Sequence, residues 1–294
     1  MDDDVSALKP ASPDLSVILH GIASRTAQQM RSENFPVAMR LIPRKPRGQL
    51  ARVYAFARFV DDVGDTAPGD RLELLDLIDA DVRALWAGGA TLPPVAGLRP
   101  VVDGCAVPID PFLDLIEANR LDQTTARYET FDDLLGYCRL SAAPIGRIVL
   151  HIAGMASTDN VVDSDSVCAA LQVLEHCQDV GEDARAGRIY LPAADLHAAG
   201  VTDEDLLATT TPARLRHVIA MQVGRSSSLL GPGHKLVRRL SGWPRMAVSG
   251  YVAGGLATAS ALQAADYNVL ESHVGPSTTR TAMHAARLIL GRRN

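Results

Sequence analysis

Two runs of carboxylates, more than a hundred residues apart, have the types and spacing to bind a hard cation. The first is RVYAFARFVDDVGD, residues 52–65. Wound as a helix, Tyr54, Arg58, Asp61 and Asp65 fall at i, i+4, i+7 and i+11, which is one stripe. Val53, Ala57 and Val60 make an apolar stripe beside it. Asp61 and Asp65 repel each other, and such a like-charge i, i+4 pair costs roughly 0.2–0.5 kcal/mol on an exposed helix. A divalent cation turns that repulsion into attraction, and carboxylate oxygens suit Mg²⁺. Arg58, one turn away, can take a phosphate oxygen that the metal leaves free. The bland alternative is a solvated helix end. An EF-hand fits poorly, because Val63 stands where that loop needs its second oxygen ligand.

The second run is LQVLEHCQDVGEDARAGRIYLP, residues 171–192. Glu175, Asp179 and Asp183 step by four, with Glu182 adjacent, and Gln172 and Gln178 add neutral polar groups. Leu171, Leu174, Cys177 and Val180 form the apolar side. A surface helix would intersperse Lys among these acids. Here the basic residues Arg185 and Arg188 come only after them, where a helix C-terminus alone would explain them. His176 adjoins Glu175 but points about 100° away on the helix, and is read as structural. Mg²⁺ binds through one or two carboxylates plus substrate phosphates. Two such helices facing each other could therefore hold a small metal cluster and a diphosphate, with an apolar bundle behind for a hydrocarbon tail.

The elements that must position these groups are helical. Periodicity places helices at about 14–31, 36–42, 47–64, 69–87, 109–120, 130–156, 164–186, 203–208, 212–240 and 245–272, with 88–108 as a Gly- and Pro-rich loop. No alternation is sustained, so a βαβ nucleotide fold is disfavoured, and no GxGxxG or phosphate loop occurs. Residues 246–265 carry no charge and are long enough to span a bilayer, but their Ser, Thr, Gln and Gly content favours a packed core helix. At 47% hydrophobic residues, a large core needs no disulfide or structural metal, and only 4% aromatics suits helices over strands. A net charge of −5 without a basic block argues against nucleic acid. Four cysteines without CxxC spacing fit a reducing cytoplasm. Residues 1–13 read as a disordered acidic tail, and 14–294 as one domain.

These residues resemble the squalene and phytoene synthase family, whose two Asp-rich helices carry patterns like DDxxD and DVGED. The similarity spans about residues 20–272. SENFPVAMRLIP (32–43) looks like the family's substrate-admitting segment, YAFARFVDD like its first acidic helix, and GYCRLSAAPIG (136–146) like its tunnel helix. DVGEDARAGRIYLP matches the second acidic motif. The resemblance implies an all-α, single-domain isoprenoid synthase bundle with a central apolar cavity. Condensing members generally have Asn at Glu175 and Arg at Gln178. Both departures would make this wall more negative, which is compatible with the hydrating branch of the bacterial hopanoid pathway.

The resemblance then implies presqualene diphosphate as substrate, ionised with Mg²⁺ and captured by water to give hydroxysqualene. Asp61, Asp65, Glu175, Asp179 and Asp183 would surround the metals, with Arg58 as a charge clamp. Tyr54, Arg58 and Gln172 match positions that contact substrate or diphosphate, and Ser32, Asn34 and Phe35 lie in the admitting segment. Tyr137 and Ser141 would line the tunnel. Ser141 could position water, although a hydroxyl closed onto its own helix is the plainer expectation. Tyr190 would shield a cation or bind diphosphate, with a packed buried tyrosine as the alternative. Arg139 and Arg147 are expected in surface ion pairs, though Arg147 could reach diphosphate. The rivals are a condensing enzyme joining two allylic diphosphates, and a non-catalytic prenyl-lipid binder. Peripheral membrane contact is left open by so apolar a substrate, but no basic amphipathic face is evident.

Overall fold

A computed structural model describes residues 15–32 and 42–291, with side chains described for 15–28 and 42–291. The helices in chain order are α1 (Leu15–Ser32), α2 (Arg44–Thr66), α3 (Arg71–Trp86), α4 (Pro93–Ala96), α5 (Arg99–Cys105), α6 (Asp110–Thr124), α7 (Phe131–Ser141) and α8 (Ala143–Ile152). They continue with α9 (Thr158–Gln178), α10 (Val180–Arg185), α11 (Ala193–Ala198), α12 (Asp203–Leu206), α13 (Ala213–Leu229), α14 (Gly233–Arg239), α15 (Gly242–Ala264) and α16 (Thr278–Ile289). Among the described residues the one β-type pairing is an isolated bridge between Arg127 and Ile189, so the architecture is all-α as expected. The expected tail at 1–13, and the expected helix at 36–42 apart from Ile42, lie outside the described residues.

Two apolar clusters hold the helices. One gathers α1 to α6 around Phe56, Phe59, Leu74, Ile78 and Phe112, all without solvent exposure. Fully burying such side chains contributes roughly 1.5–3 kcal/mol each. The other surrounds α9, which packs against α7, α8, α13, α14 and α15. Local signals start several helices. Asp70 caps α3 by accepting from Leu72 N at 3.0 Å and Glu73 N at 3.2 Å. Thr130 and Asp133 close a capping box on α7.

Several boundaries differ from the periodicity reading, each for a local reason. The segment 88–108 is not a loop but holds α4 and α5. Its prolines open those helices, where a missing N–H costs nothing. Leu92, Val95, Leu98 and Val101 recur every three residues and are buried. The expected helix over 130–156 breaks at Ala142, two residues before Pro144. The one over 212–240 breaks ahead of α14 at Gly231-Pro232. The last expected helix ends at Ala264, followed by Asp266 and Tyr267 at φ 49° and 56°. Helix α16 was not anticipated. Among the described residues no helix is long and apolar enough to cross a membrane, and 246–264 belong to the packed helix α15.

Candidate active site

Helix α2 presents the first acidic run as anticipated. Val53, Phe56, Val60 and Val63 face the core, and Tyr54, Arg58, Asp61 and Asp65 face outwards. Asp61 Oδ1 accepts from Asn119 Nδ2 of α6 at 3.1 Å. That approach needs Gly64, because a Cβ there would stand 2.2 Å from Asn119 Oδ1. Solvent reaches the Asp61 side chain, yet the surrounding protein withholds bulk water. This desolvation pushes its carboxyl up to about 6, helped by Asp65 and opposed by the Asn119 bond. Arg58 lies on Asp62, with Nε 3.1 Å from Oδ1, and Thr26 Oγ1 donates to the other oxygen of Asp62 at 2.5 Å.

The second acidic run corrects one expectation: it is not a single helix. Helix α9 ends at Gln178, α10 begins at Val180, and Asp179 between them has φ −100° and ψ 13°. The hydrogen bonds nevertheless continue, from Asp179 N to Glu175 O at 3.0 Å and from Asp183 N to Asp179 O at 2.8 Å. The three acids therefore keep their one-turn spacing across the break. Burial chiefly raises the carboxyls of Glu175 and Asp179, with Asp183 adding repulsion to both. Gln178 does not face the cleft described below. Its Nε2 donates to Val274 O at 2.5 Å, tying down the segment after α15.

The two runs meet through residues that the spacing argument did not single out for the site. Arg188 Nη1 pairs with Asp65 Oδ1 at 2.9 Å, while Arg188 N donates to Asp183 O at 2.9 Å. Asp183 Oδ2 lies 3.5 Å from Nδ1 of buried His176, whose ring stacks on Tyr190 at 3.7 Å. Tyr190 Oη and Tyr137 Oη both donate to Asp122, at 3.0 and 2.8 Å. Burial raises the Asp122 carboxyl, and the two tyrosine bonds hold it down in part. Tyr128, Tyr137 and Tyr190 stand ring against ring, so Tyr190 is packed and hydrogen-bonded at once. A signal for Asn119 and Asp122 did exist: both are polar positions on the inward side of a helix whose neighbours Leu115, Ile116 and Ala118 are buried.

An apolar cleft of about 250 Å³ runs beside α9. Ser164, Val167, Cys168, Leu171, Gln172 and Glu175 form its α9 wall, recurring at three- and four-residue steps. At 1.5 Å per residue that wall is about 17 Å long. Glu175 and Gln172 stand at one end, with Ser141 of α7 and Tyr251 of α15 also on the lining. Gly146 lets α8 approach, since a Cβ there would be 2.5 Å from Ser164 Oγ. The Ser141 hydroxyl is buried without a hydrogen-bond partner among the described residues, and not closed onto its own helix as expected.

The sequence matches the squalene/phytoene synthase family over residues 29–282. The chain belongs to that family. It is 40% identical over 221 residues to hydroxysqualene synthase of Rhodopseudomonas palustris, covering 74% of each chain. It is 35% identical over 224 residues to hydroxysqualene synthase of Sinorhizobium fredii, covering 75% of each. Among solved structures it is similar to squalene synthase HpnC from Alicyclobacillus acidocaldarius, with TM-score 0.78, 39% identity, and coverage of 86% of this chain and 97% of that one. A ligand-bound dehydrosqualene synthase shares the fold at TM-score 0.79 and 21% identity, over 94% of this chain and 98% of the other.

For this member of the squalene/phytoene synthase family, the carboxylates can be tested against a metal. Among the described residues no group of three His, Cys, Asp or Glu could hold an ion alone. Crowded carboxylates that form no closed cage would suit a hard cation such as Mg²⁺, which completes its shell with water and substrate phosphate. Glu175, Gln172 and Ser141 share the cleft, while Asp65, Asp183, Tyr137 and Tyr190 are linked through Arg188, His176 and Asp122. Tyr54 and Arg58 remain on the exposed stripe of α2. Arg147 pairs with Asp165 at 2.8 Å and Asp114 at 3.5 Å, as a structural ion pair. Ser32 ends α1 with its side chain outside the described set, and Asn34 and Phe35 lie outside the described residues.

Proposed function

We propose that this protein converts presqualene diphosphate and water to hydroxysqualene and diphosphate. The observation that carries the reading is the wall of α9, where an acidic end at Glu175 continues into a long apolar cleft. That wall offers a carboxylate that would help hold Mg²⁺ against a diphosphate, and apolar surface for its hydrocarbon chain. The similarity to hydroxysqualene synthases favours the hydrating branch, and so does Glu175, an acid on the cleft wall where condensing members generally have Asn.

Asp61, Asp65, Glu175, Asp179 and Asp183 are the residues that would hold Mg²⁺. Once bound, the metal supplies positive charge to the departing diphosphate. Arg58, moving off Asp62, and Arg188 add fixed positive charge at the same place. The carbon–oxygen bond to the diphosphate breaks, and the cyclopropylcarbinyl cation rearranges to an allylic cation. The lining of Val167, Leu171, Ile145 and Val149 keeps water away during that rearrangement. Water then adds its oxygen to the cation and releases a proton. The Ser141 hydroxyl, buried on the cleft without a hydrogen-bond partner among the described residues, supports a role in orienting that water.

A condensing activity is the competing reading, supported by the squalene synthase name of the solved relative. Supplying farnesyl diphosphate alone, and presqualene diphosphate alone, separates the two. The proposal expects diphosphate release from presqualene diphosphate only. Rapid release from farnesyl diphosphate with a cyclopropyl product would overturn it.

A further inference from the structure

Charge is unevenly distributed along this chain. Residues 206–294 carry eleven Lys or Arg and only two acids, Asp266 and Glu271, in a protein of net charge −5. Such asymmetry points to an acidic partner. Many of these arginines are engaged internally, Arg214 with Asp205, Arg225 with Asp195 and Arg239 with Asp163. Helix α16 differs. No Asp or Glu follows Glu271 in the sequence. Arg280 donates to Ser260 O at 3.4 Å, and neither it nor Arg287 forms an ion pair with a carboxylate among the described residues. Partial burial and these two uncompensated charges lower the His284 imidazole below its ordinary range.

The same helix has no buried residue. Its inner row of Ala285, Leu288 and Ile289 is half-buried, and α16 packs against α15. Its outer row carries Met283, Ala286 and Leu290, with Leu290 71% exposed. Bonds from Arg245 Nη2 to Ile289 O at 2.9 Å and from Arg280 to Ser260 O make the two helices antiparallel. Exposed Met246 of α15 therefore lies at the Leu290 end. Tyr251 of α15 is 58% exposed and also lines the apolar cleft. One helical pair thus presents large apolar side chains and arginines without a carboxylate partner among the described residues, beside an opening into the cleft.

We propose that the α15–α16 pair docks on an anionic lipid bilayer. Arg280 and Arg287 lie at the headgroups, and Met246, Tyr251, Met283 and Leu290 enter the interface. A basic, amphipathic surface helix binds membranes in this way. Nucleic acid would use the arginines but leave the apolar side chains without a role. A second copy of the chain would set like charges against each other. The surface corrects the expectation that no basic amphipathic face exists, and it stands whichever isoprenoid reaction the site performs.

The test is flotation of the full-length protein with phosphatidylcholine vesicles, with and without phosphatidylglycerol. Binding to the anionic vesicles alone, weakened by added salt, is expected. Replacing Arg280→Gln and Arg287→Gln together should weaken it roughly 30-fold, at about 1 kcal/mol per arginine near such a surface. Arg280→Lys with Arg287→Lys should retain it, and Met283→Ser with Leu290→Ser should weaken it with the charges intact. Equal binding to neutral vesicles, no binding, or unchanged binding by the Gln pair would overturn the proposal. So would a DNA duplex, or self-association, depending on these residues while vesicles do not bind.

Discussion

Replacing Gly64 by alanine should destabilise this protein, reversing the usual sign of that substitution. Inside a helix, Gly to Ala ordinarily stabilises by about 0.5–1 kcal/mol. At Gly64 the added Cβ would stand 2.2 Å from Asn119 Oδ1 and 3.1 Å from its Cγ. Asn119 is only 8% exposed, so its amide has little room to withdraw. Moving it breaks the 3.1 Å bond to Asp61, a hydrogen bond to a charged group worth about 1.5–3 kcal/mol. Overpacking between α2 and α6 adds about 1–3 kcal/mol. The net expectation is a loss of about 2–4 kcal/mol, or roughly 3–7 °C in Tm for a chain of this size. Urea unfolding followed by circular dichroism measures it. A double-mutant cycle with Asn119→Ala locates the cause, because removing the amide removes the clash. The double variant should then be at least as stable as Asn119→Ala alone. A loss below about 0.5 kcal/mol for Gly64→Ala, or additivity in the cycle, would refute the close-approach argument.

Other substitutions test the parts separately. Asp81 accepts from Thr91 N, Thr91 Oγ1 and Leu92 N at 2.8 to 2.9 Å, so Asp81→Ala should cost about 2–4 kcal/mol in urea unfolding. Asp122→Ala strands the hydroxyls of buried Tyr137 and Tyr190, at about 2–4 kcal/mol, whereas Asp122→Asn keeps an acceptor and should cost visibly less in thermal melts. Equal losses for the two variants would contradict that account. Asp61→Asn and Asp179→Asn should each lower turnover on the order of 10²-fold or more with the fold intact, and a chelator should abolish wild-type activity until Mg²⁺ is restored. Turnover persisting in both variants with chelator present would remove the metal from the mechanism.

The helical architecture and the acidic side of α2 were legible in the sequence because both depend on local periodicity. Val53, Val60, Asp61 and Asp65 reveal their faces through spacing alone. Prolines misled the reading in 88–108, where they start helices as readily as they end them. The break at Asp179 was hidden because the i, i+4 spacing of its acids survives it. Asp122 was overlooked, and Arg188 was read only as a helix-end charge, because their roles are tertiary and their partners lie on other elements. Helix α16 was missed for the opposite reason. Its spacing is amphipathic, yet none of its residues is buried, so it does not read as a core element.

The central claim is that water, and not a second prenyl chain, captures the cation formed in the cleft beside Glu175. Mass spectrometry of the product formed from presqualene diphosphate, Mg²⁺ and ¹⁸O-water tests it directly. The account predicts hydroxysqualene carrying one labelled oxygen. Unlabelled alcohol, or squalene as the product, would contradict it.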